Sequence, residues 1–186
     1  MSDADRQYFV ALMAIRREER AVRIAAYGLM SNHFHLVAVG DQADAVSLFI
    51  MDLNGLYATY RHVTHRHTGR VWQGRFYSVV LDPAHWATAL RYTERNAARA
   101  RMVARAEDGE WSSARAHLGL GAHAGVARHA RVCAKLAQPR RLARESGDVD
   151  PARSRGRKRQ RTGSRWGWTL ISTAPFASRR KRRWPS

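Results

Sequence analysis

His33 and His35 stand two residues apart inside the apolar run Asn32-His33-Phe34-His35-Leu36-Val37. Side chains on an extended strand alternate with a period of two, so both imidazoles leave one face while Phe34 and Leu36 enter the other. Two adjacent imidazoles suggest a metal; the plainer alternative is a half-buried strand whose polar face carries histidines. A second constellation lies downstream in Tyr92-Thr93-Glu94-Arg95-Asn96, where a phenol and an amide stand at i and i+4 and so share one side of a helix. A phenol with a pKa of about 10 is protonated at neutral pH and a weak nucleophile without help. Arg95 and Arg99 fall on the same helical face and would favour the phenolate. If this helix packs across the strand, His33, His35 and Asn96 form an open three-ligand site with room for a substrate oxygen and water. Such a site suits Mg²⁺ or Mn²⁺, and the histidines favour Mn²⁺. Without the histidines, Tyr92 would read as an ordinary core tyrosine.

The elements that must position these groups can be read from pattern. Ser2 with Asp5 three residues on predicts a capped helix over residues 3 to 20, with Phe9, Leu12 and Met13 apolar. Val22 to Met30 and His33 to Val39 predict an antiparallel hairpin joined through Ser31-Asn32. Val46, Phe49, Ile50, Leu53, Tyr57 and Tyr60 mark an amphipathic core helix, and Trp72 to Leu81 has strand character. Asp82-Pro83 predicts a cap with proline at the first position of the helix carrying Trp86, Leu90 and Tyr92. Helix, hairpin, helix, strand, helix is an α+β arrangement of helices against an antiparallel sheet. The segment from Arg61 to Arg70 reads as a loop dense in donors. His62, His65, Arg66, His67, Arg70 and Arg75 are therefore candidate phosphate contacts, with Trp72 as a stacking platform for an unpaired base or, alternatively, a core side chain. Trp111-Ser112-Ser113 reads as a cap onto a following helix, since no histidine base is paired with either serine in sequence.

Charge divides the chain. Residues 1 to 120 carry 15 Lys+Arg against 12 Asp+Glu, a balance of +3, while residues 121 to 186 carry 18 against 3, a balance of +15. The first segment fits one globular domain, taken as residues 1 to 121. The remainder, 122 to 186, contains Arg153-Ser154-Arg155-Gly156-Arg157-Lys158-Arg159-Gln160-Arg161 and Arg179-Arg180-Lys181-Arg182-Arg183, and has few large apolar residues. It reads as a low-order basic tail with a short helix within Val126 to Ala137. One interpretation is nonspecific attraction to nucleic-acid phosphates; another is that a frameshifted GC-rich gene encodes such sequence. Cys133 is the single cysteine, which excludes an intramolecular disulfide and a cysteine zinc cluster. No apolar run is long enough to span a bilayer and no signal peptide opens the chain, so a cytoplasmic location and no membrane partner are expected.

Four ordered blocks, Met30-Ser31-Asn32-His33-Phe34-His35-Leu36-Val37, Arg70-Val71-Trp72-Gln73-Gly74-Arg75-Phe76, Leu90-Arg91-Tyr92-Thr93-Glu94-Arg95-Asn96 with Arg99-Ala100, and Trp111-Ser112-Ser113, resemble the REP-associated tyrosine transposases. These belong to the insertion-sequence-200-like group of single-tyrosine nucleases with a His-hydrophobic-His motif, and the resemblance covers roughly residues 3 to 121. It implies a ferredoxin-like fold, with the sheet carrying its helices on one face. It further implies a divalent metal on His33, His35 and Asn96, and attack by Tyr92 on a phosphate of single-stranded DNA. The expected partner is single-stranded or hairpin DNA from palindromic repeats, acted on by a monomer or homodimer in DNA transposition. The departures are Ala97 and Arg101, where the family usually shows proline and glycine, and a chain that opens directly on the first helix. The family has a strand before that helix. The expectation is therefore an N-terminally truncated domain with an unpaired edge in the histidine-bearing sheet. An inactive nucleic-acid-binding relic and a replication or conjugation nicking enzyme are the alternatives.

Overall fold

The computed structural model describes residues 1–66, 68–121 and 169–172. Helix α1 spans Asp3–Glu19 and begins in the expected capping box, with the Ser2 hydroxyl accepting from the Asp5 amide and the Asp5 carboxylate from the Ser2 amide. Its buried face carries Phe9, Val10, Leu12 and Met13. A hairpin follows, β1 over Val22–Leu29 and β2 over Phe34–Gly40, paired antiparallel with Gly28 opposite His35 and a register shift between Ile24 and Ala26. Helix α2 runs over Ala45–His65 and buries Phe49, Ile50, Leu53 and Tyr57, with Val46 and Tyr60 partly covered. It continues through Arg61 to His65, so half of the expected donor-rich loop is helix, ended by Arg66 in the left-handed region (φ 47°). Strand β3 is confined to Tyr77–Val80, shorter than the apolar pattern from Trp72 suggests, because Trp72 turns inward and donates its indole N–H to the Asn54 carbonyl at 2.9 Å. Helix α3 spans Pro83–Arg99; Asp82 caps it by accepting from the His85 amide, and proline sits at its start as expected. A four-residue helix, α4, covers Ala114–His117.

Strand β4, Thr169–Ser172, lies between β2 and β3, giving one antiparallel sheet in the order β1-β2-β4-β3. Ile171 is fully buried in the same cluster as Phe34, Leu36 and Ile50. Two expectations change here. The edge of β2 that was expected to lie unpaired is paired along His35 to Ala38, and Thr169–Ser172, which the expected boundary at residue 121 assigns to the tail, sits inside the sheet. The expected helix within Val126 to Ala137, Cys133 and both basic runs lie outside the described residues.

Helices cover both faces of the sheet, not the single face that was expected. Alternate residues of β2 explain why: Phe34, Leu36 and Ala38 meet α1 and α2, whereas Val37 meets Trp86, Ala89 and Leu90 of α3 together with Ala25 and Ala26 of β1. All seven residues of β2 are buried, so His35 is inside the protein and not on a solvated polar face.

Candidate active site

His33 precedes β2 by one residue and His35 is its second residue, yet the two rings face each other with centroids 4.9 Å apart and planes nearly perpendicular. Tyr92 descends from α3 onto the same place: its ring centroid is 5.4 Å from that of His35, again edge to face. The helix can come this close because Gly28, opposite His35 across the hairpin, has no side chain. A Cβ there would stand 2.7 Å from the Thr93 carbonyl oxygen, closer than any real contact. Gly28 is thus a positioning residue for Tyr92 that spacing alone did not reveal; a small residue paired in register with a histidine is the only sequence signal for it.

The electrostatics favour neutral imidazoles. Burial lowers His33, and burial, then the charge of His33 and of Arg99, pushes His35 down to about 3. Only a neutral imidazole can ligate a metal. His33 Nδ1 lies 2.8 Å from Asn32 Oδ1, which makes it the donor and leaves the lone pair on Nε2. His35 Nδ1 is buried without a hydrogen-bond partner, and so is Nδ2 of the half-buried Asn96 on the turn of α3 after Tyr92. The orphaned His35 Nδ1 is costly unless something ligates or hydrates it, whereas Asn96 Nδ2 is a donor that calls for an acceptor, and only Asn96 Oδ1 can ligate a cation. Two imidazoles and an amide are a chemically sensible set for a loosely held Mn²⁺ or Mg²⁺. No group of three or more His, Cys, Asp or Glu that could hold an ion occurs among the described residues.

Arg99 lies with its guanidinium carbon 5.1 Å from the centroid of the Tyr92 ring, and Arg95 is half-buried on the same helix. Ala97 carries no helix-stopping ring, and α3 continues beyond Asn96 to Arg99. The helix then closes on Arg101 at φ 55°, with the Arg101 amide donating to Ala98 and the Met102 amide to Ala97. This C-terminal motif normally has glycine at the left-handed position.

Helix α1 starts at the β1–β2 turn, where the Met1 ammonium donates to Ser31. Asp5, 1% exposed, accepts from Arg61 at 2.8 Å and pairs with His65 Nε2 at 2.7 Å, so His65 serves the α1–α2 contact. Burial alone would raise Asp5, but His65, the Ser2 amide, Arg61 and the Ser2 hydroxyl outweigh it and hold the carboxyl at about 2. His62 Nε2 lies 2.8 Å from the Gly69 carbonyl and ties the loop to the helix. Trp72 packs edge-on to Phe34, with centroids 5.9 Å apart, and against Tyr57. Its side chain is thus engaged in the core. Arg66, Arg70 and Arg75 are exposed; His67 lies outside the described residues.

Ser113 does not cap α4 with its side chain. Its hydroxyl accepts from the Tyr27 amide at 3.1 Å and donates to buried Glu94 at 2.6 Å, and His117 Nδ1 contacts the same carboxylate. The carboxylate stands between serine and histidine, whereas activation of a serine requires the imidazole between the two. This network ties α3 to β1 and α4, supporting the helix that bears Tyr92. Ser112 supplies the cap, accepting from the Ala114 amide at 3.3 Å. Comparison with family models, curated proteins and solved structures gives no match. No helix among the described residues is long and apolar enough to cross a membrane.

Proposed function

We propose that this chain is a metal-dependent nuclease and strand transferase of single-stranded DNA, acting through Tyr92 on a ferredoxin-like antiparallel sheet, as a REP-associated tyrosine transposase would. The observation that carries this reading is the convergence of His33, His35 and Tyr92, separated by almost sixty residues in sequence, at ring distances of 4.9 and 5.4 Å. A tyrosine beside the buried imidazole of His35 and the half-buried one of His33, and beneath an arginine, combines a nucleophile with groups that suit a divalent ion.

His33, His35 and Asn96 would hold Mg²⁺ or Mn²⁺, which when bound polarises a nonbridging phosphate oxygen and offsets developing negative charge. Arg99, whose guanidinium carbon lies 5.1 Å from the centroid of the Tyr92 ring, is placed to offset charge that builds on the attacked phosphate. The Tyr92 oxygen attacks phosphorus and gives its proton to solvent, the bond to the 3′ oxygen breaks, and that oxygen takes up a proton from solvent. The products are a 5′-phosphotyrosine and a free 3′-hydroxyl. Attack by another 3′-hydroxyl on the same phosphorus restores a phosphodiester and frees Tyr92, so joining needs no nucleotide cofactor. Exposed Arg66, Arg70 and Arg75, and Arg95 three residues after Tyr92 on α3, are the groups to take flanking phosphates. His62 and His65 support this surface through Gly69 and Asp5.

The test is a denaturing gel of end-labelled hairpin DNA with a single-stranded flank, incubated with the full chain and Mn²⁺. A slow-migrating covalent band is expected, and it should vanish in Tyr92→Phe and in His35→Ala. A band that persists in Tyr92→Phe, or absence of any band from a folded protein, contradicts the reading.

A further inference from the structure

Among the described residues two large aromatic side chains are exposed, and their surroundings differ. Tyr8 stacks on Tyr60 with ring centroids 3.9 Å apart, so its face is used within the fold. Tyr77, 61% exposed at the start of β3, has a side chain that meets no ring, cation or hydrogen-bond partner among those residues. The sheet register sets the face that carries it. Tyr77 pairs with Ser172 and Ser172 with His35, and residues directly opposite across antiparallel strands lie on one face. That is the α3 face, since the His35 ring meets Tyr92, and Val37, two residues on, meets Trp86, Ala89 and Leu90. Helix α3 packs on β1 and β2, so the row runs from beneath the helix at His35 into the open at Tyr77. Two strand spacings, about 10 Å, separate the ends of the row.

Resting on the nucleic-acid reading above, we propose that Tyr77 is a stacking platform for an unpaired base of the strand whose phosphate lies at Tyr92. An aromatic face accepts any base, because every base has a π-face, so it holds a flanking nucleotide without reading its identity. Charge fits the same occupant: Arg75, two residues before Tyr77, is exposed, and the Arg99 guanidinium stands over the Tyr92 ring. The aromatic side chains that precede Tyr77 are already used. Trp72 packs against Phe34 and Tyr57 and donates to Asn54, and Phe76 lies against the same α1 and α2 core. Tyr77 alone of the three is turned to the α3 face. A base held about 10 Å from His35 fixes the strand beside the attacked phosphate and lowers the entropy cost of placing it.

The experiment measures metal-free binding of a DNA hairpin with a single-stranded flank to the full chain by fluorescence anisotropy. Tyr77→Ala should weaken binding about tenfold, and Tyr77→Phe and Tyr77→Trp less than about twofold, since stacking needs the ring and not the hydroxyl. The slope of log affinity against log salt should be the same in Tyr77→Ala, which removes no charge, whereas Arg75→Gln should flatten it by about 0.7. A set of hairpins, each lacking one base of the flank, locates the stacked nucleotide: one position should cost the unaltered chain about tenfold and cost Tyr77→Ala nothing further. Equal weakening in Tyr77→Phe and Tyr77→Ala, or a base-removal profile that Tyr77→Ala leaves unaltered, overturns the platform. If the unaltered chain binds no DNA, the platform falls together with the nucleic-acid reading. Binding that depends on Tyr77 without any covalent adduct keeps the platform while the catalytic reading fails, and an adduct indifferent to Tyr77 removes the platform alone.

Discussion

The two faces of the sheet are built on different rules. Against α1 and α2 the packing is large and apolar, with Phe9, Met13, Phe34, Leu36, Phe49, Ile50, Leu53, Tyr57 and Ile171 all but inaccessible. Against α3 the contacts are small, Ala25, Ala26, Val37 and Ala89 with Trp86 and Leu90, and they give way at one end to Gly28, His35, Thr93 and Glu94. Large side chains hold a helix at a distance and stabilise by area; small ones bring the backbone down until polar groups of helix and strand meet. One face makes the fold stable, and the other places a phenol beside two imidazoles.

Breaking the first face should have the largest effect on stability. Phe49→Ala removes a fully buried ring from the α1 and α2 face and is expected to cost about 3 to 5 kcal/mol in denaturant unfolding. Any covalent adduct formed under folding conditions should keep its dependence on Tyr92. Gly28→Ala tests the second face. The new Cβ must push the Thr93 backbone away, at a cost of about 1 to 3 kcal/mol. The shift of Tyr92 relative to His35 should lower cleavage about a hundredfold with little change in hairpin affinity. Cleavage unchanged by this substitution would mean that the helix-to-strand distance does not set the chemistry.

Acid should separate the two faces as well. Asp5 has a folded pKa of about 2 against an ordinary 3.8, so its contribution, on the order of 2 kcal/mol, is present above pH 3.8 and lost as pH falls toward 2. His35 is lowered from 6.5 to about 3, so the folded state resists protonation and stability declines as pH falls from 6.5 toward 3. Melting temperature should therefore drop first in the histidine window, and His35→Gln should shrink that early drop to the part left by His33 while leaving the later one. The smallest expected effect is at Arg101: Arg101→Gly relieves a left-handed conformation at the end of α3 and should stabilise by about 1 kcal/mol in the same unfolding assay.

How much was legible follows the same division. The capping box at Ser2, the hairpin, the core stripe of α2 and the Asp82-Pro83 start of α3 rest on local periodicity and capping, and the structure has them within a few residues. Periods of two and of four residues put His33 with His35 on one strand face and Tyr92 with Asn96 on one helix face; the crossing of helix and strand that brings Tyr92 to His35 is a tertiary fact that spacing leaves as a condition. The position of β4 was not legible, because four apolar and hydroxyl residues inside a basic, glycine-rich stretch carry no local signal. Their place is decided by the gap between β2 and β3, a tertiary fact. Helices on both faces were missed for a related reason: the histidines made one face of β2 look polar, while Val37 and the alanines of β1 on that face are what α3 covers. The buried contacts of Asp5 with Arg61 and His65, and of Glu94 with Ser113 and His117, join residues distant in sequence, which no spacing rule can pair.

The account stands or falls on which side chain becomes joined to DNA. The covalent product of the full chain, a hairpin substrate and Mn²⁺ can be digested and the nucleotide-bearing peptide sequenced by mass spectrometry. The geometry predicts a 5′-phosphate on Tyr92. Tyr77, 61% exposed and in the same register row as His35 and Ser172, is the informative rival; the nucleotide on Tyr77, or on any residue other than Tyr92, would contradict the account.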